Sequence, residues 1–347
     1  MAIKKEAISA VTHRIDNALY FDTIYIGGGT PSLVPARLLS ALMDELSSIF
    51  HMRSRSEMEI TIECNPESVQ KTWIHAMKEA GINRISLGVQ DLTPEGLKLL
   101  GRIHSVNDAL KAVDTIREAG IKNLSIDLIY SLPGQDKTWL EKTLKIASSL
   151  CPEHLSAYEL TIEPDTRFAS LVAKGALKLP KEETRLDLTK YVESFLESKG
   201  LFQYEISNFA RIGHECNHNI NYWTGGDYLG LGCGAVSFFN NTRYFNTSNL
   251  LQYLDCIEKK GMAIAQEETL NKEARFRETL IMWLRMTKGA DIKALYRRFG
   301  IELFSYYGKT IDKLCNQGLL EVSKDADTLR LTKRGQYISN YVLSHLV

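Results

Sequence analysis

The residues best suited to chemistry stand at the ends of short apolar runs. Thr23-Ile24-Tyr25-Ile26 reads as a buried strand and is followed at once by Gly27-Gly28-Gly29-Thr30-Pro31-Ser32. Successive glycines let the backbone approach a ligand and leave N–H groups for an anion or carboxylate, although such a run is also a flexible turn. The next run, Met58-Glu59-Ile60-Thr61-Ile62, ends in Glu63-Cys64-Asn65-Pro66. Glu63 is either a carboxylate placed to accept both hydroxyls of a ribose or a surface residue before a proline turn. A third run closes on Gly88-Val89-Gln90, whose amide both donates and accepts, with Arg102 and His104 just beyond. Asp127 lies among apolar neighbours in Ser125-Ile126-Asp127-Leu128-Ile129, where a carboxylate is costly unless paired or liganded. A salt bridge to Arg102 is the structural alternative. Together Glu63, Gln90, Arg102 and Asp127 suit a ligand carrying a ribose, an ammonium and a carboxylate. No Ser–His or Cys–His pair has nucleophile–base spacing, so no residue is assigned a catalytic role.

The elements that must position these groups alternate in type. After the strands ending near 26, 62, 87 and 129 come helical patterns at Leu38 to Phe50, Val69 to Ala80, Ala109 to Ala119 and Trp139 to Leu150, two of them closed by Gly81 and Gly120. His154 to Tyr158 gives a fifth strand, and after the helix Leu186 to Ser198, Gln203-Tyr204-Glu205-Ile206 gives a sixth. Repeated βα units imply a parallel sheet with its reactive groups at the C-terminal strand ends. Periodicity leaves a doubly wound sheet and an incomplete barrel both open. The chain starts with a helical pattern, Lys5 to Asn17, rather than a strand.

The expected division is a partial barrel over 1–210, an irregular connector over 211–265 and a helical domain over 266–347. The stretch 225–260 is rich in Gly, Asn and aromatics and reads as irregular. Helical patterns at Arg275 to Met286, Ile292 to Phe299 and Ser305 to Asn316, followed by a hairpin near Gly318 to Thr332, form a winged-helix pattern. Its third helix carries Lys309 and Lys313 against Asp312, a poor phosphate-binding face, so a lid or docking module is the preferred reading.

Lys+Arg and Asp+Glu stand at 42 each, which argues against nucleic acid or an anionic membrane held by bulk charge. No run approaches the roughly 18 apolar residues of a membrane span. The charged N-terminus lacks the apolar core of a signal peptide, so the cytoplasm is expected. The six cysteines, Cys64, Cys151, Cys216, Cys233, Cys256 and Cys315, form no CxxC or CxxxCxxC cluster.

GGGTPS, ECNP, RISLGVQ, DLIYSLPGQ, HLSAYELTIEP and YEISNFA occur in one order from residue 27 to residue 210. In this the chain resembles the HemN/HemW branch of the radical-SAM proteins, from about Asp22 to the C-terminus. The resemblance implies an α/β fold, an incomplete (β/α)6 barrel lacking its first strand, with a C-terminal winged-helix-like domain. It also implies that Gly28, Gly29 and Thr30 contact the amino-acid part of S-adenosylmethionine. Glu63, Gln90, Arg102 and Asp127 would grip its ribose and charged end, and Thr161 would lie beside the adenine.

His218-Asn219-Ile220-Asn221-Tyr222-Trp223 matches the HNxxYW signature associated with haem binding in that branch. His218 offers an imidazole for haem iron; Tyr222 and Trp223 offer flat surfaces for a macrocycle. The alternatives are an aromatic plug with His218 hydrogen-bonded in place, or iron ligation by His214 or Cys216.

Members of the family hold a [4Fe–4S] cluster on a CxxxCxxC loop, and this chain has no such motif. Either the native protein has about 40 further residues upstream, counting one strand, one loop and part of a helix, or the cluster has been lost. The polypeptide as written is expected not to make the 5′-deoxyadenosyl radical, and its status as an enzyme stays open. The resemblance implies a haem chaperone that delivers haem to haem-requiring apoproteins. An oxygen-independent coproporphyrinogen III dehydrogenase and a cluster-less haem-binding protein are the alternatives.

Overall fold

A computed structural model of the chain describes residues 2–13, 20–54, 57–325 and 327–347, apart from the side chains of His13 and Arg167. The chain opens with α1 (Ala2–His13), β1 (Thr23–Ile26), α2 (Ala36–Ile49), β2 (Glu59–Cys64), α3 (Lys71–Glu79) and β3 (Arg84–Gln90). It continues through α4 (Pro94–Leu99), α5 (Val106–Glu118), β4 (Asn123–Tyr130), α6 (Lys137–Ser149), β5 (His154–Glu159), α7 (Arg167–Ala173) and α8 (Glu182–Ser198). Then follow β6 (Phe202–Gln203), β7 (Asn208–Ala210), α9 (Asn217–Trp223), β8 (Val236–Phe239), β9 (Thr242–Asn246), α10 (Leu250–Lys260) and β10 (Ile264–Thr269). The last part is α11 (Lys272–Trp283), β11 (Ala290–Asp291), α12 (Ile292–Phe299), α13 (Leu303–Asn316), β12 (Leu320–Val322), β13 (Thr328–Leu331), α14 (Lys333–Tyr337) and α15 (Ser339–Ser344). Positions 14–17 of the expected first helix lie outside the described residues.

Two units result: residues 23–40 with 55–215, and residues 1–22 with 41–54 and 216–347. In the first, β1 to β5 pair in parallel and in sequence order, with β7 and β6 at the far edge. Ile60, Ile62, Ile85, Leu87, Leu124, Ile126 and Leu155 are all fully buried on one face of this sheet. Each such side chain contributes about 1.5–3 kcal/mol of burial. The buried rows of α3 (Trp73, Ile74, Met77), α5 (Ala112, Val113, Ile116) and α6 (Leu140, Leu144) complete that core. Their starts follow from local chemistry. Ser105 and Asp108 form a reciprocal capping box on α5, and Asp136 accepts from the Trp139 N–H at the head of α6. The opposite face is polar. Tyr25, Thr61, Glu63, Arg84, Ser86, Ser125, Asp127, His154 and Ser156 alternate with the apolar set along the same strands.

The expected sixth strand is corrected. Only Phe202 and Gln203 are extended there, and β6 runs antiparallel to β7, which is itself antiparallel to β5. The cause is a tight reversal: the Tyr204 N–H donates to the Asn208 carbonyl and the Ser207 N–H to the buried Glu205 carboxylate. The run 203–206 therefore turns back instead of crossing over.

In the second unit, the stretch read as irregular contains β8, β9 and α10, with β10-β9-β8 forming an antiparallel sheet. Its turn is Asn240-Asn241, both at positive φ, a conformation asparagine tolerates. Buried Glu6 on α1 holds this region by accepting from the Gly232 N–H (2.8 Å), the Tyr253 hydroxyl (2.7 Å) and the Asn246 amide (2.5 Å). Further along, α11, α12 and α13 pack with the small sheet β11-β13-β12 in a winged-helix arrangement around Phe276, Leu280, Leu295, Leu303, Ile311 and Leu329. No helix among the described residues is long and apolar enough to cross a membrane.

Candidate functional site

The loops after β1, β2 and β3 are bound into one mouth by side chains. Ser32 and Ser68 hydroxyls lie 2.5 Å apart, the Asn65 N–H donates to Ser32 Oγ (3.3 Å), and Asn65 Nδ2 donates to Thr30 Oγ1 (3.4 Å). Arg102 Nη2 donates to Asn65 Oδ1 (2.8 Å) and to the Gly88 carbonyl (3.1 Å). A Cβ added at Gly88 would meet Asn65 Oδ1, Gln90 Nε2 and Arg102 Nη2, so three polar side chains converge over a bare backbone. Gln90 itself sits at φ 68°, a strained value for a side-chain-bearing residue that turns its amide toward this point. Gly28 and Gly29, at φ 85° and 63°, have open space where a side chain would project. Glu63 faces the same loop, accepting from the Tyr25 hydroxyl (2.9 Å) and the Gly28 N–H (3.2 Å). Burial first, then the Glu63 charge, pushes the Tyr25 hydroxyl far up, so it stays a donor.

Asp127 occupies a deeper position than this mouth. It is the fifth of eight residues in β4, and its carboxylate accepts from Ser86 (2.9 Å) and Ser125 (3.2 Å), lower on the polar face. The alternative of an Arg102–Asp127 salt bridge is thereby excluded. Burial raises the Asp127 pKa, opposed first by the Ser86 and Ser156 hydroxyls and then by Arg84 and Ser125. Ser125 also meets His154 Nδ1 (2.8 Å), whose Nε2 meets the Tyr204 hydroxyl (2.9 Å). Because Ser125 donates to Asp127, the His154 proton is assigned to Nδ1 and Nε2 accepts from Tyr204. Burial, with Arg84 adding to it, holds His154 neutral well below its usual range. Thr161 lies exposed beyond β5, its hydroxyl 3.5 Å from the Glu159 carbonyl.

Sequence reasoning brought together Glu63, Gln90 and Arg102 but missed Asn65, the residue that joins Thr30 to Arg102. It also missed the Ser86–Asp127–Ser125–His154–Tyr204 chain. The signal was present: Arg84, Ser86, Gly88 and Gln90 alternate with Ile85, Leu87 and Val89 at the period of a strand.

His218, Tyr222 and Trp223 lie on α9, a helix with no fully buried residue. The His218 and Tyr222 rings meet edge to face at 4.9 Å, with Nε2 3.0 Å from the Tyr222 hydroxyl. Burial, reinforced by Tyr228 and Cys216, pushes the Tyr222 phenol up to about 12, so it serves as the donor to Nε2. Tyr222 in turn packs on Tyr228 at 4.6 Å. Cys216 is buried just before the helix, an unfavourable place from which to reach a ligand.

The residues do not fit an iron–sulfur cluster. No three His, Cys, Asp or Glu side chains among the described residues converge on a metal position. Cys64, the one cysteine at a strand end, is buried, and burial with the Glu63 charge pushes its thiol up to about 12.

The chain matches the radical SAM superfamily over residues 2–147 and the HemN C-terminal domain over residues 270–338. It is 36% identical over 321 residues to the heme chaperone HemW of Bacillus subtilis, covering 92% of this chain and 84% of that one. Identity to the heme chaperone HemW of Lactococcus lactis is 33%, covering 92% and 83%. Among solved structures, coproporphyrinogen III oxidase (HemN) from Escherichia coli superposes with a TM-score of 0.84 at 23% identity, covering 99% of this chain and 81% of that one. That likeness shows the fold, a partial radical-SAM barrel with a HemN-type C-terminal domain. The polar strand-end mouth, the winged-helix arrangement and the match to two HemW proteins over nine-tenths of the chain lead to one assignment: the chain belongs to the HemW family of the radical SAM superfamily.

Proposed function

We propose that this chain is a haem chaperone, binding haem at α9 and passing it to haem-requiring apoproteins. The observation that carries the reading is the HNxxYW segment, which forms a partly exposed helix presenting an imidazole edge to face with a phenol. His218 Nε2 is the nitrogen we assign to haem iron. Its lone pair is engaged by the Tyr222 hydroxyl, so haem entry requires that hydrogen bond to open. An iron–imidazole bond would replace it, leaving the Tyr222 hydroxyl free. The naming of the relatives as heme chaperones supports the same reading.

The mouth over β1 to β3 fits S-adenosylmethionine. Gly28 and Gly29 offer unobstructed backbone to its amino-acid part, with Thr30 beside them. Glu63 would accept from the ribose diol, and Gln90 and Arg102 would face its charged end, with Asn65 orienting the guanidinium. Asp127 would act from below through Ser86 and Ser125, and Thr161 would lie near the adenine. When bound, this cofactor supplies a sulfonium-linked adenosyl group. Because the residues present do not fit the [4Fe–4S] cluster, no radical step is derived.

The test combines a haem titration with a turnover assay. The purified chain is expected to bind haem one to one, to release it to a haem-free acceptor protein, and to leave coproporphyrinogen III unchanged. Turnover of coproporphyrinogen without haem uptake would overturn the reading.

A further inference from the structure

Three guanidinium groups contact the end of α9, and they differ in what they touch. Arg275 Nη2 donates to the Gly225 carbonyl at 2.5 Å. Arg298 donates to the Thr224 carbonyl (3.0 Å) and to Gly225 (2.5 Å). These two close the carbonyl end of the helix, where cations and donors are favoured. Arg285, just past the end of α11, does neither. Its guanidinium carbon lies 4.8 Å from the centroid of the Trp223 indole, and its side chain has no acceptor among the described residues.

Two buried donors stand unsatisfied at this point. Arg285 Nε and Trp223 Nε1 are both buried and both without a hydrogen-bond partner. Leaving one such donor unpaired costs about 1–3 kcal/mol, more when the group is charged. Neither side chain can accept, so no rearrangement between them satisfies either. The pair calls for an acceptor from outside, and the formal charge on Arg285 selects an anion. A guanidinium presents parallel N–H groups in the geometry of a carboxylate, and stacking on the indole fixes its plane.

We propose that Arg285, oriented by Trp223, is a carboxylate-binding site, and that its ligand is a propionate of the haem held at α9. The proposal rests on the haem reading above and extends it: His218 would take the iron, and Arg285 would take the macrocycle's acidic edge. His218 and Trp223 stand five positions apart on one short helix, about 7.5 Å along its axis and about 140° around it, so one ligand meets both only by spanning the helix flank, as a macrocycle with extended propionate arms does. The site would thus distinguish a porphyrin bearing free propionates from one whose acids are blocked.

The test is a chemical double-mutant cycle. Haem and haem dimethyl ester are titrated against the full chain, Arg285→Gln and Arg285→Lys, following the Soret band and its position. A charged hydrogen bond at a half-exposed site corresponds to about a tenfold change in affinity. The unaltered chain is expected to bind haem about tenfold more tightly than the ester. Arg285→Gln should bind both equally, at the ester's affinity, and Arg285→Lys should recover part of the preference. The proposal is overturned if Arg285→Gln keeps the full preference for free propionates. A loss by Arg285→Gln that is equal for haem and ester also overturns it, since that marks a structural role. If the unaltered chain takes up neither ligand, the haem reading fails and this proposal falls with it. That outcome differs from uptake without preference, which removes Arg285 alone.

Discussion

The polar mouth of the parallel sheet and the α9 segment differ in how far their hydrogen bonds are linked to one another. At the mouth, Thr30, Asn65, Arg102 and the Gly88 carbonyl form one continuous chain, and beneath it Ser86, Asp127, Ser125, His154 and Tyr204 form another. At α9, Trp223 Nε1 and Arg285 Nε are buried without acceptors, and the His218–Tyr222 contact is a single bond between two rings. A continuous chain of hydrogen bonds fixes its loops and can present a pre-set surface to a small polar ligand, even though Thr61 Oγ1 on the same sheet face is buried without a hydrogen-bond partner. At α9 the unpaired donors stand beside a partly exposed helix with fewer links between its side chains. The first arrangement suits a tightly specified cofactor, and the second suits a cargo that arrives and leaves.

The largest expected effect comes from filling the mouth. Gly88→Leu places side-chain atoms where Asn65, Gln90 and Arg102 converge. It should weaken S-adenosylmethionine binding by about tenfold to a hundredfold in equilibrium dialysis, with haem uptake unchanged. Equal loss of both ligands would break the division between the regions.

Cutting the upper network should cost stability next. Asn65→Ala removes the acceptor for Arg102 Nη2 and the donor to Thr30, with an expected loss of about 1–3 kcal/mol by denaturant unfolding. An unchanged midpoint would show that the loops hold without it.

The lower network carries a pH signature. The folded-state pKa of His154 is depressed, so its contribution is fully present above the unfolded value near 6.5 and is lost as pH falls below it. Stability should decline by about 1.4 kcal/mol per pH unit from there toward the folded pKa. In His154→Gln this part of the slope should vanish. Asp127 acts with the other sign: its raised pKa stabilises the fold most at low pH, and that contribution is lost as pH rises through the folded value. Asp127→Asn should therefore steepen the acid-side decline that remains, and an unaltered profile in both variants would refute the assignment.

The smallest effect should come from Trp223→Phe. Removing the unpaired N–H relieves its burial cost while the smaller ring gives up packing against Arg285, so the two offset and stability should change by less than about 1 kcal/mol by thermal unfolding, against the larger loss in Asn65→Ala. A cost above that of Asn65→Ala would mean that the indole N–H is satisfied in solution.

Much of this was readable from the residues. The βα alternation, the glycines after β1 and the polar strand ends placed the mouth, because strand period and turn chemistry are local properties. The sixth strand was misread because Gln203 to Ile206 has strand composition, whereas its direction depends on the Tyr204–Asn208 turn and on pairing with β5. The sheet of β8, β9 and β10 escaped notice because its strands are short, and β10 (Ile264-Ala265-Gln266-Glu267-Glu268-Thr269) is largely exposed with little apolar alternation. Arg285 could not be singled out at all. Its significance lies in what it fails to bond, which only the packing around Trp223 reveals.

The central claim is that α9 binds haem through His218, and a Soret titration of the full chain against His218→Ala tests it most directly. The account predicts a displaced Soret maximum and affinity about tenfold weaker in the variant, with the variant still unfolding in one cooperative transition. An identical Soret position and affinity in the two proteins would remove His218 from the site and contradict the account.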